Sequence, residues 1–274
     1  MTRTLLIDAD ILAYLTTAAT EQNIDWGDGV RSHVADFEAA KKAAVEWLEE
    51  IVETLKADGF IICLSDDFNN FRKGVWPAYK SNRSSSQRPE HLYDLKDWLR
   101  ETYPTRSIPT LEADDVMGIL STEPHEGERI IVSADKDMQT IPGLLFNPNK
   151  DKRPRRITVE EADRFLLWQT VCGDATDGYP GCPGAGPAMA DKVLDGLMWQ
   201  VREREFKSGP RKGMKVPEWF SYGCGFSTTW ERIVALYQKQ GQTEKDAVTM
   251  ANLARILRHG DFEGGRVKPW VPPR

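Results

Sequence analysis

The chain has 274 residues, enough for one large core or for a main domain with a smaller second one. Its 40% hydrophobic and 28% charged residues are those of a folded globular protein, and no apolar run approaches the roughly 18 residues of a membrane span. The N-terminus enters a strand without a signal-peptide pattern, so a cytoplasmic protein with no membrane partner is expected.

In chain order, Thr4 to Ile7 reads as a buried strand leading into Asp8. Residues 31 to 58 form the clearest helical pattern, with Val34, Phe37, Ala44, Leu48, Ile51 and Leu55 at three- and four-residue steps and Gly59 as its stop. Phe60 to Leu64 is the next strand, ending at Ser65-Asp66, which completes a βαβ unit. A polar, basic stretch lies between Pro77 and Pro89 and precedes a helix carrying Leu92, Leu95, Trp98 and Leu99; it reads as a surface loop or as a segment over a site. Glu112 to Leu120 begins another helix, Ile130 to Ser133 is a strand ending at Asp135, and Leu144 to Phe146 is a further strand. From about residue 160 the pattern turns helical, over Glu160 to Cys172, Ala188 to Trp199, Thr228 to Gln240 and Thr243 to His259.

Carboxylates recur where these elements meet: Asp8, Asp66, Glu112 with Asp114 and Asp115, Asp135 with Asp137, and Asp174 with Asp177. A single such acid is equally well a helix N-cap. Five segments that place acids at strand ends and helix starts can instead gather them at the ligand-binding edge of an α/β sheet, and their mutual repulsion then calls for cations. With no His or Cys in these segments, all-oxygen ligation favours Mg²⁺ or Mn²⁺ over zinc. The four cysteines, Cys63, Cys172, Cys182 and Cys224, have neither zinc spacing nor a disulfide framework and read as buried thiols.

The formal net charge is −6, but setting aside these nine acids leaves 33 acidic residues against 36 Lys and Arg. The basic residues cluster as Arg72/Lys73/Lys80/Arg83/Arg88, Lys150/Lys152/Arg153/Arg155/Arg156 and Lys207/Arg211/Lys212/Lys215. Solvated faces explain any one cluster; three beside an acidic cleft suit a polyanion. After Asp174 and Asp177, the turn with Gly181, Gly184 and Gly186 can hold a phosphate on its backbone N–H groups, with Lys192 close in sequence.

Asp-x-x-Asp followed by G-x-x-G-x-G resembles the helix-three-turn-helix element of the flap endonuclease and 5′ to 3′ exonuclease family. Leu-Leu-Ile-Asp8, Leu64-Ser-Asp66, Phe71-Arg72, Tyr79-Lys80-Ser-Asn-Arg83, Glu112-Ala-Asp114-Asp115 and Ser133-Ala-Asp135-Lys-Asp137 are similar to its other motifs in the same order. Asp8-Ala-Asp10, Ala254-Arg-Ile-Leu257 and the Lys-Ser-Gly stretch at 207 to 209 look like the exonuclease of short-tailed bacteriophages. Ala188 departs from the family, standing where its glycine turn often has a lysine.

The resemblance implies an α/β fold, a PIN-like (5′ nuclease) core with a mostly parallel sheet flanked by helices. It places the nuclease core at residues 1–165, with a basic loop or arch at about 77–100, and a helical DNA-binding region at 166–274 with the helix-three-turn-helix at about 173–199. It implies two Mg²⁺ ions, replaceable by Mn²⁺: Asp8, Asp66, Glu112 and Asp114 around one, Asp135, Asp137, Asp174 and Asp177 around the other, and Asp115 between them or behind them. A monovalent cation is expected at the glycine turn. Lys80, Arg83 and Arg72 are the expected catalytic cations; Lys73, Tyr79, Gly181, Gly184, Gly186, Lys192, Lys207, Arg211 and Lys212 are the expected DNA contacts, with Tyr79 or Trp76 stacking on an unpaired base as the less favoured role for those rings. The implied enzyme is a monomer that hydrolyses duplex DNA from 5′ ends, nicks or flaps, or RNA paired with DNA, in phage replication or host DNA degradation inside an infected bacterium. Two other readings compete: a phosphatase of the haloacid dehalogenase class, from Asp8-x-Asp10 and Gly173-Asp174, and a ribonuclease or non-enzymatic nucleic-acid-binding protein.

Overall fold

The computed structural model of the protein describes residues 2–27, 30–82, 88–223 and 227–273. Strand β1 (Arg3–Asp8) runs into α1 (Ala9–Ala19), which Asp8 caps by accepting from the N–H of Ile11 at 3.2 Å. A hairpin of β2 (Glu21–Gly27) and β3 (Val30–Ala35) precedes α2 (Phe37–Leu55). The expected helix start at residue 31 is therefore too early. Asp36 accepts from the N–H of Ala39 at 2.9 Å and fixes the boundary, while Val34, counted on the helix's apolar face, is a 49% exposed strand residue. At the other end Lys56, in the left-handed conformation, stops the helix before Gly59.

Next come β4 (Gly59–Cys63), α3 (Phe71–Val75), α4 (Leu92–Thr102), β5 (Thr105–Arg106), α5 (Ala113–Thr122) and β6 (Glu128–Val132). A 3₁₀ turn at Lys136–Thr140 leads to β7 (Gly143–Phe146), β8 (Arg155–Ile157) and α6 (Val159–Cys172). The last elements are α7 (Pro187–Leu194), β9 (Leu197–Glu205), β10 (Lys215–Gly223), α8 (Thr229–Lys239), α9 (Glu244–Ala254), β11 (Phe262–Glu263) and β12 (Arg266–Val267).

The described residues form two units, each discontinuous in sequence. The first comprises Met1–Phe71, Arg83–Ala162 and Ile256–Lys268, the second Arg72–Asn82, Asp163–Arg255 and Pro269–Arg274, in both cases as far as these ranges are described. The chain therefore crosses the single boundary expected at residue 165 more than once.

In the first unit the sheet order is β5-β4-β1-β6-β7-β8, parallel throughout except for β8 against β7. The expected mostly parallel sheet is present. Leu5, Leu6 and Ile7 of central β1 are fully buried, as a parallel strand covered on both faces requires. The pleat sends Leu5 and Ile7 into a core with Leu12, Ala44, Leu48, Leu95 and Leu99, and Leu6 into a second core with Cys63, Val116, Met117 and Leu257. Chain order reverses across β1, since β4 lies on one side and β6 on the other, the switch point beyond whose strand ends open α/β sheets bind their ligands.

The second unit packs α6, α7, α8 and α9 around Leu166, Val171, Val193, Ile233, Leu236 and Leu253, together with Tyr79 from the 72–82 segment. It is not wholly helical. The helix expected to reach Trp199 ends at Leu194, where Asp195 and the positive-φ Gly196 break it, and nine register pairs then join β9 to β10. Likewise α9 ends at Ala254, short of the expected His259, because Arg255 is extended. Cys63 and Cys182 are buried and Cys172 half-buried, all three as free thiols, while Cys224 lies outside the described residues.

Candidate active site

The first unit brings seven of the nine acids to one end of its sheet by simple topology. Asp8 ends β1 and is paired in register with Cys63 of β4, while Ile7 is paired with Val132 of β6. Asp66 and Asp135 each follow three residues after those partners, and Glu112, Asp114 and Asp115 open α5, which lies against the same three strands.

Three of these acids, Asp8, Asp66 and Asp135, are held by hydrogen bonds to neutral donors, while Asp137 accepts from the Lys136 ammonium at 2.8 Å. Buried Asp8 accepts from the Ser133 hydroxyl at 2.7 Å, and that hydroxyl accepts from the N–H of Asp135 at 3.0 Å, so Ser133 links two of the acids. Asp135 in turn accepts from the N–H of Asp137 at 2.8 Å. Asp66 accepts from the N–H groups of Phe68, Asn69 and Thr110 at 3.0, 3.1 and 2.8 Å. To reach Asp66, Thr110 takes a left-handed backbone, φ 69°, that β-branched residues rarely adopt.

Electrostatics separate the two best-placed acids. The Asp66 carboxyl lies below its ordinary value, chiefly through the Thr110 N–H. Burial pushes the Asp8 carboxyl up to about 7 against the Ser133 hydrogen bond, and the charges of Asp10 and Asp135 add to the rise. A carboxylate offers about four lone-pair sites, so these donors leave room for a ligand bond. Among the described residues no three His, Cys, Asp or Glu side chains are close enough to clasp an ion as they stand. Asp8, Asp66 and Asp135 are each drawn to N–H or O–H donors of their own. The donor set nevertheless fits a hard divalent cation: it is all oxygen, and positive charge would offset the repulsion that raises Asp8.

Asp115 is fully buried, with one oxygen accepting from the N–H of Glu112 at 3.2 Å and the other from that of Leu257 at 3.1 Å; it caps α5 and anchors the Ile256–Lys268 segment.

Asp174 and Asp177 belong to the second unit. Neither lies in a helix. They sit in a tight turn closed by the Asp174–Tyr179 bridge, where buried Asp174 accepts from the N–H groups of Thr176 and Asp177 at 2.7 and 3.1 Å. The 72–82 segment grips this turn. The Tyr79 hydroxyl donates to Asp177 at 2.8 Å, Lys80 Nζ lies 3.6 Å from the same carboxylate, and Trp76 Nε1 donates to the Gly178 carbonyl at 3.3 Å. Tyr79 is 2% exposed and part of the core, the packing role favoured for that ring over base stacking. Arg72 is corrected. It is 2% exposed and donates to the carbonyls of Leu253 and Arg255 at 3.1 and 2.6 Å, closing the C-terminus of α9. Arg83 lies outside the described residues.

In the glycine turn, Gly181 is required by packing. Its φ is +66°, and a Cβ there would meet the Gly173 nitrogen at 2.2 Å. A Cβ on Gly184 would meet only the Gln240 side chain, at 3.8 Å, while Gly186 faces open space and precedes Pro187 at the start of α7. Lys192 is exposed in the last turn of that helix; Lys207, Arg211 and Lys212 are exposed in the 206–214 connection between β9 and β10; Lys73 is exposed on α3.

Sequence reasoning missed Ser65, Asp67, Lys96 and Ser133, and used Asp10 only as a mark of likeness. The Lys96 ammonium, 4% exposed as a residue, lies 3.0 Å from Asp10 and is hydrogen-bonded to Asp67. Burial alone would lower its pKa, but the two carboxylates outweigh burial and raise it. The signal was present: Lys96 falls four residues after Leu92 and three before Leu99, inside the apolar stripe of its helix. Asp10, which a haloacid dehalogenase phosphatase would need as its acid, is committed to Ser65 and Lys96.

Comparison with known proteins agrees with this architecture. The family described as 5′-3′ exonuclease, N-terminal resolvase-like domain, matches residues 3–147. The exonuclease of Escherichia phage T7 is 30% identical over 267 residues, spanning 94% of this chain and 89% of that protein. The exodeoxyribonuclease of Enterobacteria phage T3 is 30% identical over 279 residues, spanning 98% and 92%. Among solved structures, the phage T5 5′-exonuclease with bound divalent zinc ions superposes with a TM-score of 0.61 at 16% identity, covering 92% of this chain and 89% of that one, which shows a shared fold. No described helix is long and apolar enough to cross a membrane. The chain belongs to the 5′-3′ exonuclease family and is a nuclease that hydrolyses phosphodiester bonds.

Proposed function

We propose that this nuclease depends on divalent metal, Mg²⁺ with Mn²⁺ as its substitute, and degrades duplex DNA from 5′ ends, with flap cleavage and removal of paired RNA as further activities of the same site. The observation that carries the metal reading is the placement of Asp8, Asp66 and Asp135 at the carboxyl ends of three adjacent strands, with Glu112 and Asp114 at the start of α5. The T3 relative is named an exodeoxyribonuclease, which favours DNA as substrate. Asp8, Asp66, Glu112 and Asp114 are assigned to one ion and Asp135 and Asp137 to a second. Asp174 and Asp177 are assigned as ligands from their chemistry and their order in the chain.

Bound there, divalent ions would supply the charge that activates water and steadies the leaving 3′ oxygen. The protein's own groups do the rest. Ser133 holds Asp8 and Asp135 in register, and the N–H groups of Phe68, Asn69 and Thr110 keep Asp66 ionised. Lys80 is assigned to the scissile phosphate, which requires it to exchange Asp177 for that anion. Exposed Lys207, Arg211 and Lys212 are assigned to phosphates of the duplex, which brings salt dependence and little sequence preference.

The test uses 5′-labelled and 3′-labelled blunt, nicked and flapped duplexes with Mg²⁺ or with chelator. Mononucleotides released from the 5′ label only with Mg²⁺ support the proposal. Release from 3′ ends first, or cleavage unaffected by chelation, contradicts it.

A further inference from the structure

We propose that Lys96 is a permanent internal counter-cation and positioning residue for the metal-binding carboxylates, an inference that rests on the metal reading above. The residue is a lysine with only 5% of its side chain exposed, and a buried ammonium persists only where anions are fixed around it. Here they are Asp10, 3.0 Å away, and Asp67. Neither belongs to the assigned ligand set, but each adjoins it: Asp67 follows Asp66, and Asp10 lies two residues beyond Asp8.

The hydrogen bonds continue beyond the ion triad. Ser65 donates its hydroxyl proton to Asp10 and accepts from the N–H of Ala113 at 2.9 Å. Ala113 is the first residue of α5, between Glu112 and Asp114. One connected path, Lys96 to Asp10 to Ser65 to Ala113, therefore ties α4 to the three segments that present Asp8, Asp66 and the α5 acids. The Asp10 charge also bears directly on Asp8. A fixed positive charge at Lys96 lowers the electrostatic cost of assembling these acids without competing for their ligand positions, because its own partners are Asp10 and Asp67.

A charge that offsets repulsion is distinguished from a charge that only anchors α4 by its dependence on other cations. If Lys96 offsets the acids, its removal leaves them more repulsive, divalent ions bind the variant more tightly, and the ion restores part of the lost stability. If Lys96 only anchors α4, the loss is the same with or without the ion.

Thermal unfolding of the full chain in EDTA and in saturating Mg²⁺ reads this directly, for wild type, Lys96→Met and Lys96→Met/Asp10→Asn. Mg²⁺ should raise the wild-type Tm; no rise overturns the metal reading and this proposal with it. Lys96→Met should melt about 10 °C below wild type in EDTA and less than half as far below it in Mg²⁺, with the double variant recovering part of the EDTA deficit. Equal deficits in the two buffers, with a normal wild-type response, overturn the counter-cation role alone. Should Lys96→Met fail to fold in both buffers, the double variant decides: folding supports the role, and failure overturns it.

Discussion

Two sets of carboxylates share one sequence pattern, acids at the ends of predicted elements, and the two units use them differently. In the first unit Asp8, Asp66 and Asp135 terminate or follow parallel strands, so the backbone brings them to one edge, and small neutral donors hold them there. In the second unit Asp174 is held by backbone N–H groups of its own turn, and Asp177 is engaged by the Tyr79 hydroxyl and the Lys80 ammonium from the 72–82 segment. Acids held by N–H and O–H groups remain available to a cation, whereas an acid paired with an ammonium must give up a partner first. The lesson is that an acid's partner, more than its spacing, separates a ready ligand from a committed one.

The largest expected effect comes from Asp135→Ala. It removes a proposed ligand and also a repulsive charge beside Asp8, so cleavage of duplex DNA should fall by about 10³-fold or more while the circular dichroism spectrum and Tm stay near wild type. Retained turnover would remove the distinction between the two units. Arg72→Ala should do the opposite, since its buried guanidinium closes α9: a stability loss of about 3 kcal/mol by denaturant unfolding, from orphaned carbonyls and a cavity. An unchanged midpoint would return Arg72 to the catalytic candidates.

Within the glycine turn, Gly181→Ala meets backbone at 2.2 Å and should cost about 3 kcal/mol, whereas Gly184→Ala, with φ +71° but only an ordinary contact with the Gln240 side chain at 3.8 Å, should cost about 1 kcal/mol. Equal costs would show that packing does not distinguish the two positions. The smallest effect is expected from neutralising Lys207, Arg211 and Lys212 together. DNA affinity should fall, with the slope of log K against log salt reduced by about one for each phosphate that is no longer neutralised and kcat unchanged. An unaltered slope would remove the 206–214 connection from the DNA-holding surface.

Much of the first unit was legible because its signals are local. Apolar runs such as Leu5-Leu6-Ile7 announce covered parallel strands, and an acid at the end of each announces the edge where ligands bind. What the sequence concealed depends on partners distant in the chain. Asp115 looks like its neighbour Asp114 until Leu257, 142 residues away, takes its second oxygen. Arg72 looks like a phosphate-binding cation until the carbonyls of Leu253 and Arg255 claim it. The β9–β10 hairpin reads as the tail of a helix and a basic loop because the mixed charges of Arg202 to Glu205 mask the alternation of Leu197, Trp199 and Val201. Lys96 escapes notice because a lone lysine in an apolar stripe reads as noise until its partners, Asp10 and Asp67, are known to lie beside it.

The central claim is that the strand-end carboxylates of the first unit bind the ions that make this chain a nuclease. Counting bound Mn²⁺ by electron paramagnetic resonance in wild type and in Asp8→Asn tests it most directly. The account predicts saturable binding in wild type and loss of at least one ion, together with DNA cleavage, in the variant. Equal Mn²⁺ occupancy in the two proteins, or none in wild type under conditions where it cleaves DNA, would contradict it.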